Sequence, residues 1–454
     1  MNLPEYFLAD LPKEATISPA LLTEACATLK RNRESYLVRR STDQIIRTLS
    51  GVAAEWLNED NRFRRLALDH GSAVLGFSRE TLASGLDGFF RQLTVENFYA
   101  LIKQDMGDVR RLDQLCSAEV EQQTSRAAIA VGPEFLVHIA AGNIPNPTLM
   151  SMVLGLLTRS AQFVKCASGT SLLPRLFAHS IYEYDPKLAA CIEIAEWQGG
   201  NVALEDVLFA EADCVTTTGS DETLETIQKR LPQRVRFLAY GHRVSFGYVA
   251  ADVLTEHNTR KVIVRAADDV TAWDQLGCLS PHVFYVQNGG HSSPEEFARQ
   301  LAEQLARRES IEPRGVARQE IAAHIASRRA IYELRAAYSA STHVWKSNDS
   351  TAWTVVCEAD ARFQLSCLHR FIYVKPVAGL EDVLQNADFV RAQVSTVGIA
   401  VPEHRAGEIA TQLARWGAKR VCPLGQMQNP PLTWRHDGRP ALGDLVTWMD
   451  WEQG

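Results

Sequence analysis

Apolar and polar residues recur along this chain in two different rhythms, and the rhythm changes near residue 122. Before it, apolar positions return every three or four residues, as in SPALLTEACATLKRNRESYL, STDQIIRTLSGVAAEWL and SRETLASGLDGFF. That spacing lays one apolar stripe along a helix. Each stretch opens on Ser, a residue type whose side chain accepts an N–H at a helix start. In the first, Pro19 follows Ser18, at a position where a helix tolerates a missing N–H. Residues 1–122 are expected to form a helical region packed on a core built by later residues, and they carry no obvious chemistry.

From about residue 123 the texture becomes mixed. SRAAIAVGPEFLVHIAAGN predicts two strands joined at Gly132-Pro133. SMVLGLLTRS then suits a helix, AQFVKCA a strand, LLPRLFAHSIYEY a helix, ADCVTTTGS a strand, DETLETIQKRL a helix and RVRFLAYG a strand. Near-continuously apolar strands alternating with helices predict an α/β fold with a parallel sheet covered on both faces. After Gly247 the alternation loosens. PHVFYVQNGG, WTVVCEAD, FIYVKPV and STVGIAV read as strands, and PEEFARQLAEQLARRES and VARQEIAAHIASRRAIYELRAAYSA as long amphipathic helices. The expected division is 1–122, 123–247, 248–430 and a C-terminal segment 431–454.

Composition narrows the function classes. A net charge of −7 without a long basic run argues against nucleic acid as a partner. Nine cysteines run from Cys26 to Cys422 without a CxxC pair or a Cys/His cluster, which favours neither a zinc site nor a disulfide framework, and no metal is expected. The start, MNLPEYFLADLPKEA, lacks the pattern of a secretory signal, and the apolar run at 149–158 is too short to span a bilayer. A reduced, soluble, cytoplasmic protein is expected.

Three stretches could carry chemistry. In AAGNIPNP, at 140–147, Gly142 and Pro145 frame Asn143, whose amide can donate to a developing oxyanion; an Asn-x-Pro turn is the plainer reading. In TTTGSDETL, at 216–224, a strand ends at Thr218 and enters a helix through Gly219-Ser220. Such a helix start can receive a phosphate, or Ser220 or Asp221 can simply cap it. Lys165, at the end of AQFVKCAS, is a cation at a strand end. In AWDQLGCLSP, Gly277 precedes Cys278 and Ser280-Pro281 breaks the segment after it, as a nucleophile on a sharp turn requires. A packing role for that cysteine stays open on these residues alone.

Taken in order, these stretches resemble the aldehyde dehydrogenase superfamily. More narrowly, YGHRVSFG at 240–247, DQLGCLSP at 274–281 and the ending RVCPLGQMQNPPLTWRHDGRPALGDLVTWMDWE are similar to the LuxC-type acyl-CoA reductases, the fatty acid reductases of bacterial bioluminescence. The resemblance implies an aldehyde-dehydrogenase-like fold, with a Rossmann-like NADP(H) domain at 123–247, a catalytic domain at 248–430 and an oligomerisation role for 431–454. It implies NADPH-dependent reduction of an acyl thioester to the aldehyde, with NADH as the other cofactor choice. Cys278 would be the nucleophile and Asn143 an oxyanion donor. Lys165, Ser168, Thr218, Gly219, Ser220, Gly241 and His242 fall where the superfamily holds its cofactor, and His242 could instead be an acid. Acyl-CoA or a carrier-bound acyl group, an acyl-protein synthetase and a second copy of the chain are the implied partners.

One departure bears on the reaction. Hydrolytic aldehyde dehydrogenases carry a Glu between the Gly-Ser turn and the cysteine, where this chain reads LAYGHRVSF, without a carboxylate. A base there would activate water against the acyl-enzyme, so its absence suits a reductase. The rival expectations are an oxidising aldehyde dehydrogenase and an acyl-carrying or acyl-transferring partner subunit.

Overall fold

The computed structural model describes residues 3–12, 14–140, 142 and 144–452. The chain forms two compact units, one of Met1–Leu75, Leu86–Gly241 and Pro431–Gly454, the other of Gly76–Gly85 and His242–Pro430.

In the first unit, strands β1 (Arg126–Val131), β2 (Phe135–Ile139), β3 (Ala161–Cys166), β4 (Ile192–Glu196), β5 (Cys214–Thr218) and β6 (Arg236–Tyr240) appear in turn. Five of them make a parallel sheet in the order β4-β3-β2-β5-β6. Counted within the sheet this is 3-2-1-4-5, the Rossmann order, and the strand order reverses between β2 and β5. Phe135, Val137, Phe163 and Val215 meet Leu22, Cys26 and Leu29 of the helix Pro19–Tyr36 and Leu204 and Leu208 of the helix Val202–Glu211. The Pro19–Tyr36 helix starts as its sequence predicts, with Ser18 accepting the Leu21 N–H at 3.2 Å. The apolar run at 149–158 falls largely within the helix Asn146–Leu157, whose residues are mostly buried. No helix among the described residues is long and apolar enough to cross a membrane.

The two strands expected to be joined at Gly132-Pro133 both form but do not pair with each other. β2 is apolar at Phe135, Leu136 and Val137 and enters the covered sheet, whereas half-exposed β1 pairs antiparallel with β14 (Thr447–Glu452). Every residue of β14 is exposed, Trp448, Met449 and Trp451 included.

The second unit holds a seven-stranded sheet built from β7 (Val244–Val249), β8 (Pro281–Gln287), β9 (Thr342–Lys346), β10 (Thr354–Glu358), β11 (Phe371–Val377), β12 (Val394–Ala400) and β13 (Arg420–Pro423). Its order is β13-β12-β7-β8-β11-β10-β9, parallel throughout except for the edge strand β9. Period-two alternation sends Phe284 and Val286 to one face, under the helices Thr259–Thr271 and Pro294–Ile311. Val283 and Tyr285 go to the other, under the helices Gln319–Tyr338 and Glu403–Trp416. Sequence periodicity did not single out β7, β9, β13, β14 or the helices at 259–271 and 403–416.

Candidate active site

The second unit presents the cysteine. Cys278 lies on the turn between the helix Thr259–Thr271 and β8, where the Ser280 N–H donates to the Gly277 carbonyl at 2.9 Å. Ser245 Oγ, at the start of β7, donates to the Cys278 carbonyl at 2.9 Å. Because β7 and β8 run parallel, this places Cys278 and His242 at the same, amino-terminal, edge of two neighbouring strands. His242 is exposed there, and its proximity joins burial in holding the His282 imidazole down to about 4.

Cys278 is half-buried, unlike most of the chain's cysteines. Burial pushes the thiols of Cys26, Cys166, Cys191, Cys357 and Cys422 up to about 12 and that of Cys214 to about 11. Those of Cys116 and Cys367 are raised by the same cause. Thiols held this way are packing groups with almost no thiolate at neutral pH.

The turn is supported from both sides. Gln428, in the loop after β13, donates to Ser280 Oγ, and its carboxamide fills the space beside the Gly277 α-carbon. That loop is held by Asp269, whose two oxygens accept the Gly425 N–H at 2.6 Å and the Met427 N–H at 2.8 Å. Burial raises the Asp269 carboxyl to about 7 against the pull of those two donors. Upstream, Asp274 is buried against Arg370, and Gln275 Nε2 donates to the Pro281 carbonyl at 2.7 Å and the Phe371 carbonyl at 2.9 Å. The nearest acidic side chains in the sequence, Asp269 and Asp274, are thus committed to structure. Asp274, Arg370, Gln275 and Gln428 were not assigned roles from the sequence. Their only signal there was a polar Asp-Gln pair in an otherwise apolar approach to the cysteine.

Asn143 lies outside the described residues. The other expected residues of the first unit gather at the carboxyl edge of its sheet. Lys165 is the fifth residue of β3, Ser168 is exposed just beyond it, Thr218 ends β5 opposite Tyr240 of β6, and Gly241 follows β6. In open α/β sheets, ligands lie outside this edge near the point where strand order reverses. Gly219 donates its N–H to the Tyr240 carbonyl at 3.2 Å. Ser220 caps the helix Asp221–Arg230, accepting the Thr223 N–H at 3.3 Å. The first turn of that helix carries Asp221 and Glu222, carboxylates that oppose a phosphate at its N-terminus.

Lys165 answers whether a dinucleotide fits this edge. It is 4 % exposed and has no ion-pair partner among the described residues; Nζ lies 5.8 Å from the Trp197 ring centroid and faces Gly199. Burial lowers its ammonium, with Glu205 opposing. A buried cation whose nearby carboxylate, Glu205, is already paired with Arg230, beside a Gly-Gly loop, suits a ribose hydroxyl or phosphate oxygen.

A Rossmann-ordered sheet in one unit and a cysteine turn at a strand edge in the other define an aldehyde-dehydrogenase-type fold. A solved NAD-dependent benzaldehyde dehydrogenase from Corynebacterium glutamicum superposes with a TM-score of 0.68 at 14% identity, covering 99% of this chain and 92% of that one. Residues 37–448 match the family described as acyl-CoA reductase (LuxC), and the chain belongs to it. It is an oxidoreductase. Two relatives are long-chain acyl-protein thioester reductases. That of Aliivibrio fischeri is 23% identical over 450 residues, 98% of this chain and 89% of the relative. That of Photorhabdus luminescens is 24% identical over 423 residues, 90% and 82% respectively.

Proposed function

We propose that this chain reduces a long-chain acyl group, delivered as a thioester, to the aldehyde through an acyl-enzyme on Cys278. The observation that carries the reading is Cys278, half-buried on a turn braced by Ser245 and Gln428 at the edge of the sheet. The Cys278 thiolate attacks the thioester carbonyl. The oxyanion accepts a hydrogen bond from the Cys278 backbone N–H, a donor type worth about 2.7–4 kcal/mol of barrier, and the family resemblance implies Asn143 as a further donor. The donor thiol then leaves, and the acyl group remains on sulfur.

A reduced nicotinamide, NADPH in this reading, supplies when bound the hydride that makes the acyl carbon an aldehyde. Lys165, Ser168 and Thr218 would hold it, with Gly219, whose N–H is taken by the Tyr240 carbonyl, leaving the turn open beside them. Ser220, committed to its helix, contributes by fixing the turn. The carbon–sulfur bond to Cys278 breaks as the aldehyde carbonyl forms. With Asp274 and Asp269 engaged elsewhere, hydrolysis gains no base from either. The exposed apolar side chains of β14, Trp448, Met449 and Trp451, support assembly of copies of this chain.

The test is incubation with a labelled long-chain acyl thioester, with and without NADPH. The parent should carry label on Cys278 and release labelled aldehyde once NADPH is added. Cys278→Ala should do neither, and undiminished labelling in that variant would remove the mechanism.

A further inference from the structure

The backbone approaching Cys278 is unusual in a way the acyl-transfer chemistry alone does not require. Ten non-glycine residues among those described have positive φ, and six of them form two runs. Trp273, Asp274 and Gln275 have φ of 50°, 49° and 64°; Leu368, His369 and Arg370 have 58°, 53° and 63°. Left-handed backbone disfavours any residue with a β-carbon, so three in succession persist only where the surroundings over-determine them.

Here they do. The Trp273 ring stands 5.1 Å from that of Phe77, edge to face, and fills the space beside Gly85 where a β-carbon would go. Asp274 Oδ1 lies 2.9 Å from Arg370 Nε and 2.8 Å from Nη2, while Oδ2 accepts the Gly315 N–H at 3.0 Å. Arg370 Nη1 also reaches Glu309 at 3.1 Å and the Glu312 carbonyl at 2.8 Å. The side chains of the central pair are 1 % and 3 % exposed. Between the two runs, Gln275 ties the residue where β8 begins to the residue where β11 begins, so 276–280 are clamped at both ends.

We propose that the Asp274–Arg370 pair is a positioning device for the nucleophile: by locking the two left-handed turns together it fixes where Cys278 Sγ stands for attack. The proposal rests on the reading of Cys278 as the nucleophile. A displacement of the reacting atom by about 1 Å can cost about 100-fold in rate, so a turn held this way has a kinetic purpose. Breaking the buried pair at Asp274 leaves Arg370 with only the half-buried Glu309 to offset its charge, whereas neutralising both partners can restore stability. That difference separates positioning from mere folding.

The experiment uses the full-length protein and four variants, Asp274→Asn, Arg370→Lys, the double variant Asp274→Asn/Arg370→Gln, and Cys278→Ala. Melting temperature, the rate constant for iodoacetamide alkylation mapped to residue 278, and kcat and KM for a long-chain acyl-CoA with NADPH are measured for each folded protein. The double variant should regain most of the melting temperature lost in Asp274→Asn. Its kcat and its alkylation rate should nevertheless stay about 10- to 100-fold below the parent, with KM little changed. Arg370→Lys, which keeps the charge but loses the planar fork, should fall about tenfold in kcat. Parental kcat and alkylation in the double variant, or in Arg370→Lys if the others fail to fold, overturn the positioning role and leave the nucleophile reading standing. Acylation surviving Cys278→Ala would overturn that reading instead.

Discussion

The carboxamide of Gln428 occupies the space that a β-carbon on Gly277 would need, and its Nε2 donates to Ser280 Oγ on the far side of the cysteine. Glycine before Cys278 therefore admits a neighbouring side chain against the backbone and lets one amide brace both ends of the turn.

Gly277→Ala should displace Gln428 from that place. Overpacking of this kind typically costs about 1–3 kcal/mol, and acylation of Cys278 should slow with it. Thermal melts and single-turnover labelling by an acyl thioester check this. An unchanged melt and labelling rate would show that Gln428 moves aside freely.

Lys165→Met removes a buried cation that makes no ion pair among the described residues and lies over the Trp197 ring. The cofactor-free protein should melt at the same temperature or higher, because desolvation of this ammonium outweighs the opposing pull of Glu205. Affinity for NADPH, read from nicotinamide fluorescence, should fall about tenfold, the worth of one charge-assisted contact. Unaltered affinity would place the cofactor elsewhere on the sheet edge.

Asp269 gives a pH signature. Its folded-state carboxyl is raised to about 7 by burial, above the unfolded value of about 4. Its contribution to stability is then fully present below pH ~4 and lost as pH rises through ~7. The stability gap between parent and Asp269→Asn should accordingly shrink between pH 5 and pH 8 in denaturant titrations. A gap that widens with pH would mean that the two N–H donors keep the carboxylate ionised throughout.

His138 behaves oppositely. Buried within the first sheet, it is bonded to Thr216 Oγ1 at 2.7 Å and Gln162 Oε1 at 2.8 Å, and burial holds its imidazole down to about 4. Gln162 Nε2 donates to the Met152 carbonyl, so Oε1 faces the ring and the His138 proton sits on Nε2. A lowered pKa stabilises the fold above about 6.5 and that stabilisation is lost as pH falls through about 4. His138→Asn should flatten the acid limb of the stability profile, and an equally steep limb would assign acid sensitivity to other groups.

Local pattern was enough for much of this molecule. The helix after Ser18, the apolar strands β3, β5, β8, β10, β11 and β12, and the Gly-Cys turn are written in periodicity, capping and turn residues, which act over a few positions. Strands such as β7, β13 and β14 were invisible because their short, mixed segments become strands only beside a particular neighbour. β1 shows the same limit: its partner, β14, lies more than three hundred residues away. Around Cys278, the chain order announced the turn, with Gly277 before the cysteine and Ser280-Pro281 after it. Only folding decided which distant groups hold it, since Asp274 meets Arg370, and Gly277 meets Gln428, across separations that no spacing rule encodes. Buried polar partners are chosen by desolvation and geometry in the packed state, and those forces exist only once the sheet has formed.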